Sequence, residues 1–165
     1  MKDLTQASED TDVSQETGAL IDHILKRYHE MHRDDLASPM ALADRVERVH
    51  ADDPDAPSGL ACAVRALAQQ MEDHMTKEET ILFPAMRAGG GPGIAHPIAV
   101  MRADLDDHAE NIALILPMTS DLTPPDHACG SWRSLYGGLG ARFEDLAAHI
   151  AQENDVLFPR FGQPA

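Results

Sequence analysis

One eleven-residue pattern occurs twice in the chain and constrains its fold more than any other feature. Residues 74–84 read HMTKEETILFP and residues 149–159 read HIAQENDVLFP, so both copies share His-x-x-x-Glu-x-x-[Ile/Val]-Leu-Phe-Pro at a separation of 75 residues. A His and a Glu four positions apart lie on one face of an α-helix, one turn from each other. The repeat therefore predicts two equivalent helices, each presenting an imidazole and a carboxylate on the same face.

Apolar residues recur every three or four positions in four segments, which is the spacing of a helix face. These segments run from about Glu16 to Ala51, from Leu60 to Ile81, from Ile98 to Ile115 and from Trp132 to Leu157. Pro84 disfavours a helix that continues at Phe83, and the glycines of residues 89–93 end the second segment. No alternating strand pattern is present. The sequence predicts an all-α, antiparallel up-down-up-down four-helix bundle over residues 16–161.

Composition excludes several classes of function. The formal net charge is −15, which argues against binding to nucleic acid or to an anionic membrane surface. No apolar run approaches the ~18 residues of a membrane-spanning helix. Residues 1–15 are expected to form an acidic flexible tail and residues 162–165 a short C-terminal tail. Cys62 and Cys129 are too few for a disulfide framework, so a reducing cytoplasm is the expected compartment.

The repeated pairs indicate a metal site. His74 and Glu78 fall on the apolar seam of the second helix, and His149 and Glu153 fall on that of the fourth, so all four side chains are expected to point into the core. Burying an uncompensated carboxylate costs several kcal/mol. One such pair is explained as well by a hydrogen bond within the core, but two inward copies in phase favour a metal. Imidazoles with bridging carboxylates suit iron, manganese or zinc, and two bridging carboxylates suit a dinuclear iron centre.

The spacing of the repeat also predicts ligands on the first and third helices. His29 lies 45 residues before His74 and shares the apolar face of its helix, so it is a candidate ligand. Leu105 lies 44 residues before His149 and has no donor atom. His108 is the nearest histidine and lies one turn later on the same seam. Three alternatives stay open: His108 replaces the missing ligand, one metal has fewer ligands, or the site holds a single metal.

The remaining histidines are weaker candidates. His32 is the best placed of them to support the ligands from beside the site. His50 lies 21 residues after His29, roughly 31 Å along a straight helix at ~1.5 Å per residue, which is too far for the same centre. His96 and His127 fall in loops and are expected to be solvated.

Several stretches resemble a known family. His29, the two repeats and the four-helix pattern are similar to the hemerythrin HHE superfamily. The stretches IDHILKRYHEMHR, VERVHADDP, DLTPPDHACGSW and HIAQENDVLFPR resemble its repair-of-iron-centres (RIC) group, the YtfE/ScdA/DnrN proteins. The resemblance covers about Gly18 to Phe161. It implies a di-iron centre with ligands His29, His74 and His149 and bridging Glu78 and Glu153. In the family the third helix offers Glu-His-Asp, where this chain has Asp104-Leu105-Asp106.

The resemblance also implies a function, namely repair of iron–sulfur clusters after nitrosative or oxidative damage by a protein that holds and delivers iron. The partners would be damaged iron–sulfur proteins or their scaffold proteins, with NO or O2 as small-molecule ligands. Two alternatives stay open: an oxygen- or NO-sensing hemerythrin-like module, and an NO reductase or oxidase. No general acid, nucleophile or phosphate loop is evident in the sequence, so iron donation is favoured over classical turnover.

Overall fold

The computed structural model describes residues 16–162, and this part of the chain is helical with no strand. Four helices follow one another: α1 at 16–49, α2 at 60–87, α3 at Ala95–Met118 and α4 at 130–161. The predicted all-α class and the four helices are therefore confirmed. The expected acidic tail and residues 163–165 lie outside the described residues. None of the described helices is long and apolar enough to cross a membrane.

Three of the helices change their winding along their length. In each, one wide turn has hydrogen bonds from residue i to residue i−5, as in a π-helix. The segments of α1 are 16–24, a wide turn at Leu25–His29, Glu30–Asp35 and, after a bend at Leu36, Ala37–Val49. Those of α2 are Leu60–Lys77, a wide turn at Glu78–Leu82 and Phe83–Arg87. Those of α4 are Gly130–Ala151, a wide turn at Gln152–Leu157 and a 3₁₀ turn at Phe158–Phe161.

The expected interruption of the second helix before Pro84 is wrong, because α2 continues to Arg87. Proline has no N–H and collides with the carbonyl four residues earlier in a regular α-helix. Here the Phe83 N–H bonds to the Glu78 carbonyl across the wide turn. Pro84 then falls in the first turn of the next α-helical segment, where proline is tolerated.

The helices pack as a ring in which α2 contacts α1 and α3, and α4 contacts α1 and α3. Two apolar clusters fill the interior. One is centred on Val64, Trp132 and Leu139, and the other on Ile24, Phe83 and Phe158. A buried polar group accompanies these clusters, with its members on all four helices: His29, His32, His74, Glu78, His108, His149 and Glu153.

Candidate metal centre

The structure brings five of the predicted ligands together in the core. His29 comes from the wide turn of α1, His74 and Glu78 from α2, and His149 and Glu153 from α4. Each of these side chains is at most 1% exposed. The i,i+4 spacing aims each imidazole and its carboxylate at the same point, and the two copies of the repeat face each other across the bundle. Three helices therefore contribute to one buried site.

The two carboxylates lie between the imidazoles. Glu78 Oε2 is 3.3 Å from His29 Nε2 and 3.3 Å from His74 Nε2. Glu153 Oε1 is 2.6 Å from His149 Nε2, and Glu153 Oε2 is 3.6 Å from His74 Nε2. Each carboxylate thus faces imidazoles from two different helices, which is the placement required of a bridging ligand.

The buried His and Glu side chains together form a polar layer in the core, called the metal layer below. Many of its polar atoms have no hydrogen-bond partner among residues 16–162. They include both carboxylate oxygens of Glu78, Oε2 of Glu153 and both ring nitrogens of His74. Buried polar atoms are nearly always hydrogen-bonded, since an unsatisfied one costs roughly 1–3 kcal/mol. Donor atoms of His29, Glu78, His149 and Glu153 all lie within 4.8 Å of one another, close enough to hold a metal ion. The residues present therefore fit a cation with nitrogen and oxygen ligands.

Each of the three wide turns includes a candidate ligand. His29 ends the first, Glu78 begins the second, and Glu153 lies at the start of the third. A π-type turn inserts one extra residue into the helix, which rotates the following side chains relative to the preceding ones. In the two repeats the proline six residues after the glutamate is the one sequence signal for this widening.

Side chains around the layer hold the imidazoles in place. Nδ1 of His29 donates to Glu79 Oε1 at 2.8 Å, and Glu79 in turn accepts from Arg33 Nη1 at 2.7 Å. The ring of Tyr28 stacks on that of His149, with centroids 4.9 Å apart and an angle of 4° between the planes. Sequence reasoning did not assign a site role to either residue: Glu79 adjoins a candidate ligand and lies off the periodic seam, and Tyr28 lies on the apolar face of its helix and was counted as a core residue.

Leu105 and His108 occupy different surroundings on α3. Leu105 is 1% exposed and packs in the apolar cluster with Ile98 and Met101. His108 is buried, and its ring centroid is 5.2 Å from that of His74. The group of donor atoms within 4.8 Å does not include His108. His108 therefore lies next to a candidate ligand but outside this group.

His32 is also buried beside the layer rather than in it. Its ring centroid is 5.2 Å from that of His149, and its Nε2 has no hydrogen-bond partner in the described part of the chain. This position agrees with the expected supporting role beside the ligands. His50 lies elsewhere, with Nε2 3.3 Å from Cys129 Sγ and its ring against Trp132. His127 contacts Asp53 at 2.8 Å.

Electrostatics divide the buried histidines into two classes. Burial acts to lower the pKa of His29 and His74, but the carboxylates of Glu153 and Glu78 outweigh it and raise these pKa values to about 9 and about 10. Burial and the neighbouring His149 lower the pKa of His32 to about 3. Burial and His74 lower the pKa of His108 to about 4. Although burial opposes it, nearby His149 holds the pKa of Glu153 well below its usual range.

Comparison with known proteins agrees with this geometry. The family model described as "Hemerythrin HHE cation binding domain" matches residues 20–161. The chain is 45% identical over 141 residues to the iron-sulfur cluster repair protein YtfE of Citrobacter koseri. It is 44% identical over 141 residues to the proteins of the same name from Salmonella paratyphi B and Salmonella newport. These alignments cover 86% of this chain and 64% of each relative, so the chain spans less than two thirds of their length. By the family match across nearly all of its described residues, this chain belongs to the hemerythrin HHE cation-binding family.

Proposed function

We propose that this chain is a non-haem di-iron protein that holds iron in its core and delivers it during repair of iron–sulfur clusters damaged by nitrosative or oxidative stress. The observation that carries the proposal is the pair of fully buried carboxylates, Glu78 and Glu153, facing imidazoles from three helices. The curated relatives named for iron-sulfur cluster repair support the choice of iron and of this process.

The proposed ligands divide into two unequal sets. His29 and His149, with Glu78 and Glu153, form the compact set and would hold one iron. His74, with the same two carboxylates, would hold the other. Leu105 stands where the repeat calls for a sixth ligand, so the second iron would be held by one imidazole fewer than the first. Bound iron would supply a redox-active centre that can take NO or O2 as a ligand.

The protein's own residues perform three tasks in this proposal. The negative charges of Glu78 and Glu153 would compensate the positive charge of the metals. Each carboxylate would bind metal together with imidazoles from two different helices. Glu79 orients the imidazole of His29 through its Nδ1, and Tyr28 fixes the ring plane of His149. The apolar clusters around this layer limit the access of water to it.

We also propose that the four helices alternate in direction as an antiparallel up-down-up-down bundle. Connections of 10, 7 and 11 residues join consecutive helices, and the contacts form the ring α1–α2–α3–α4 expected of that topology. A reducing cytoplasm is the proposed compartment, supported by the two free cysteines Cys62 and Cys129.

Single-turnover iron transfer tests the proposed function. The iron-loaded chain is mixed anaerobically with a [4Fe–4S] enzyme that NO has inactivated, together with sulfide and a thiol reductant. We expect the enzyme to recover activity while the chain loses a matching amount of iron. Glu78→Leu should abolish the recovery, whereas the exposed Glu110→Gln should retain it. Recovery that is independent of the chain's iron would contradict the proposal, and sustained NO consumption without iron loss would favour an NO reductase.

A further inference from the structure

Four grooves between neighbouring helices surround the metal layer, and arginines cover two of them on either side of α1. In the α1/α2 groove, Arg33 bonds to Glu79 and Glu72 at 2.7 and 2.8 Å. Glu79 also contacts His29, so Arg33 lies beside the centre, separated from this candidate ligand by one side chain. In the α1/α4 groove, Arg27 pairs with Asp145 at 2.8 Å. A cation approaching through either groove meets a guanidinium.

The α3/α4 groove is covered in the same way. Arg102 Nη1 donates to the side-chain oxygen of Asn154 at 3.0 Å, and Asn154 directly follows Glu153 in the sequence. The guanidinium carbon of Arg102 also lies over the Phe158 ring, 5.4 Å from its centroid. In three of the four grooves, therefore, an arginine spans the two helices and bonds to a carboxylate or amide oxygen on the far side.

The α2/α3 groove differs in that its lining residues include three aspartates and no arginine. It contains a cavity of about 130 Å³ lined by Gln70, Asp73, Lys77, Asp104, Asp107 and His108. Three of these residues are anionic and one is cationic. Lys77 Nζ bonds to Asp104 Oδ2 at 2.9 Å, and Asp104 Oδ2 is also 3.6 Å from His74 Nδ1. The groove thus leads from solvent to a candidate ligand of the centre.

His108 connects this groove to the interior. It is only 2% exposed, it lines the groove, and its Nδ1 has no hydrogen-bond partner within residues 16–162. It also lines a narrow internal gap together with His74 and His149. His108 is thus a buried imidazole with one unbonded nitrogen, and it borders both the acidic groove and the gap beside His74 and His149.

We propose that the α2/α3 groove is a second, outer site for a divalent cation, formed by Asp73, Asp104, Asp107 and His108, through which iron enters and leaves the buried centre. This inference rests on the proposed function. Carboxylate oxygens with one imidazole suit ferrous iron. An acidic cleft raises the local cation concentration and can increase association rates by 10–10³. Lys77 lies in the groove and bonds to Asp104, so an entering metal ion must displace its ammonium group from this carboxylate.

The exchange kinetics of iron test this site independently of any repair activity. The full-length chain, stripped of metal, is mixed anaerobically with Fe²⁺ to measure loading, and the loaded chain is mixed with a ferrous chelator to measure release. Asp73→Asn/Asp107→Asn should slow loading about tenfold and leave the final iron content unchanged. Asp106→Asn/Glu110→Gln makes the same charge change on exposed residues that do not line the cavity, and should stay within about twofold of the parent chain.

Two further variants test the roles of Lys77 and His108 in this exchange. Lys77→Gln should speed both loading and release several-fold, because Asp104 is then free to take the cation. His108→Leu keeps a similar volume without a donor atom, and should slow release while the iron content stays the same. Loss of one iron from His108→Leu would place this residue among the ligands of the centre and overturn its role in transit.

The salt dependence of loading provides a check that needs no variant. The loading rate of the parent chain should fall steeply with ionic strength, and that of Asp73→Asn/Asp107→Asn should depend on it weakly. If the chain binds and donates iron but the double variant exchanges at the parent rate, the outer site is overturned and the proposed function stands. If neither protein retains iron, both proposals fail.

Discussion

At the scale of single residues, the chain departs from its own repeat at one position. Leu105 packs in an apolar cluster, whereas the repeat calls for a ligand there, and His108 three residues later lies beside His74 rather than in the compact donor group. Three residues advance a helix by about 4.5 Å, more than twice a ~2 Å metal–nitrogen bond. The second metal position is therefore expected to be the weaker one.

Replacing Leu105 tests this asymmetry. Leu105→His should raise the tightly bound iron towards two per chain, because it adds the imidazole that the second iron position lacks. His108→Ala should change the content little. The check is iron and protein quantification after passage over a chelating column. A parent chain that already retains two irons, one of which is lost in His108→Ala, would show that His108 is the sixth ligand.

The carboxylates make a second prediction at this scale. Glu78→Leu or Glu153→Leu should lose at least one iron per chain while the helical content stays unchanged. The metal-free variants should melt below the metal-free parent, because each removes a carboxylate that pairs with buried imidazoles and leaves those imidazoles without a partner. Circular dichroism and iron quantification measure both quantities. Retention of all iron in both variants would contradict the bridging assignment.

The raised pKa values of His29 and His74 predict the pH dependence of the metal-free chain. Their values of about 9 and about 10 lie above the ~6.5 of an unfolded histidine. Their contribution to stability is therefore fully present below pH ~6.5 and is lost as pH rises through 9 to 10. The melting temperature of the metal-free chain should fall over this window.

The iron-loaded chain provides the comparison. Its imidazoles bind metal in place of protons, so its melting temperature should change less, and the gap between the two forms should widen as pH rises. His32 and His108 have lowered pKa values and act in the opposite direction, destabilising the fold as pH falls below ~6.5. A metal-free melting temperature that is constant from pH 6.5 to 10 would contradict the assigned contacts.

At the scale of helices, the wide turns place the ligands and the prolines accommodate those turns. Each repeat ends in a proline that a regular α-helix would not tolerate at that position, and the π-type turn before it removes the conflict. The glutamate ligand lies at or near the start of this turn in both copies. Proline therefore favours the winding that orients the ligands.

Replacing the proline tests this role. In Pro84→Ala an unbroken α-helix becomes competitive, since proline in a helix interior is disfavoured by about 3 kcal/mol relative to alanine. Iron release from the variant should be several-fold faster, with no loss of thermal stability in the metal-free chain. Pro97→Ala in the first turns of α3 is the matched control and should release iron at the parent rate. Equal release rates for the two variants would argue against a role for the wide turn.

Periodicity was sufficient to predict the helices and the burial of the five candidate ligands, because both depend on which residues share a helix face. His29 was found by transferring the spacing of the repeat to the first helix. The wide turns were missed because apolar spacing does not distinguish a turn with one extra residue from a regular one. The supports from Glu79, Asp104 and Lys77 were also missed, since these contacts join different helices whose rotation depends on the wide turns.

At the scale of the whole molecule, a polar layer accompanies two apolar clusters in one core. The clusters stabilise the bundle by burying apolar area, and the layer opposes this with unsatisfied polar atoms. A bound metal would satisfy these polar atoms, so the layer would then stabilise the fold instead of destabilising it. Three of the four surrounding grooves carry an arginine, and the fourth is acidic, so the surface charge of this strongly anionic protein is arranged around the buried centre.

The most direct test of the central claim is the position of iron itself. Crystals of the anaerobically iron-loaded chain are measured on both sides of the iron absorption edge, and an anomalous difference map locates the metal. We expect a strong peak within bonding distance of His29, His149, Glu78 and Glu153, and a weaker peak beside His74. A loaded chain with no peak in this layer, or with iron bound only elsewhere, would contradict the assignment of these residues as a metal centre.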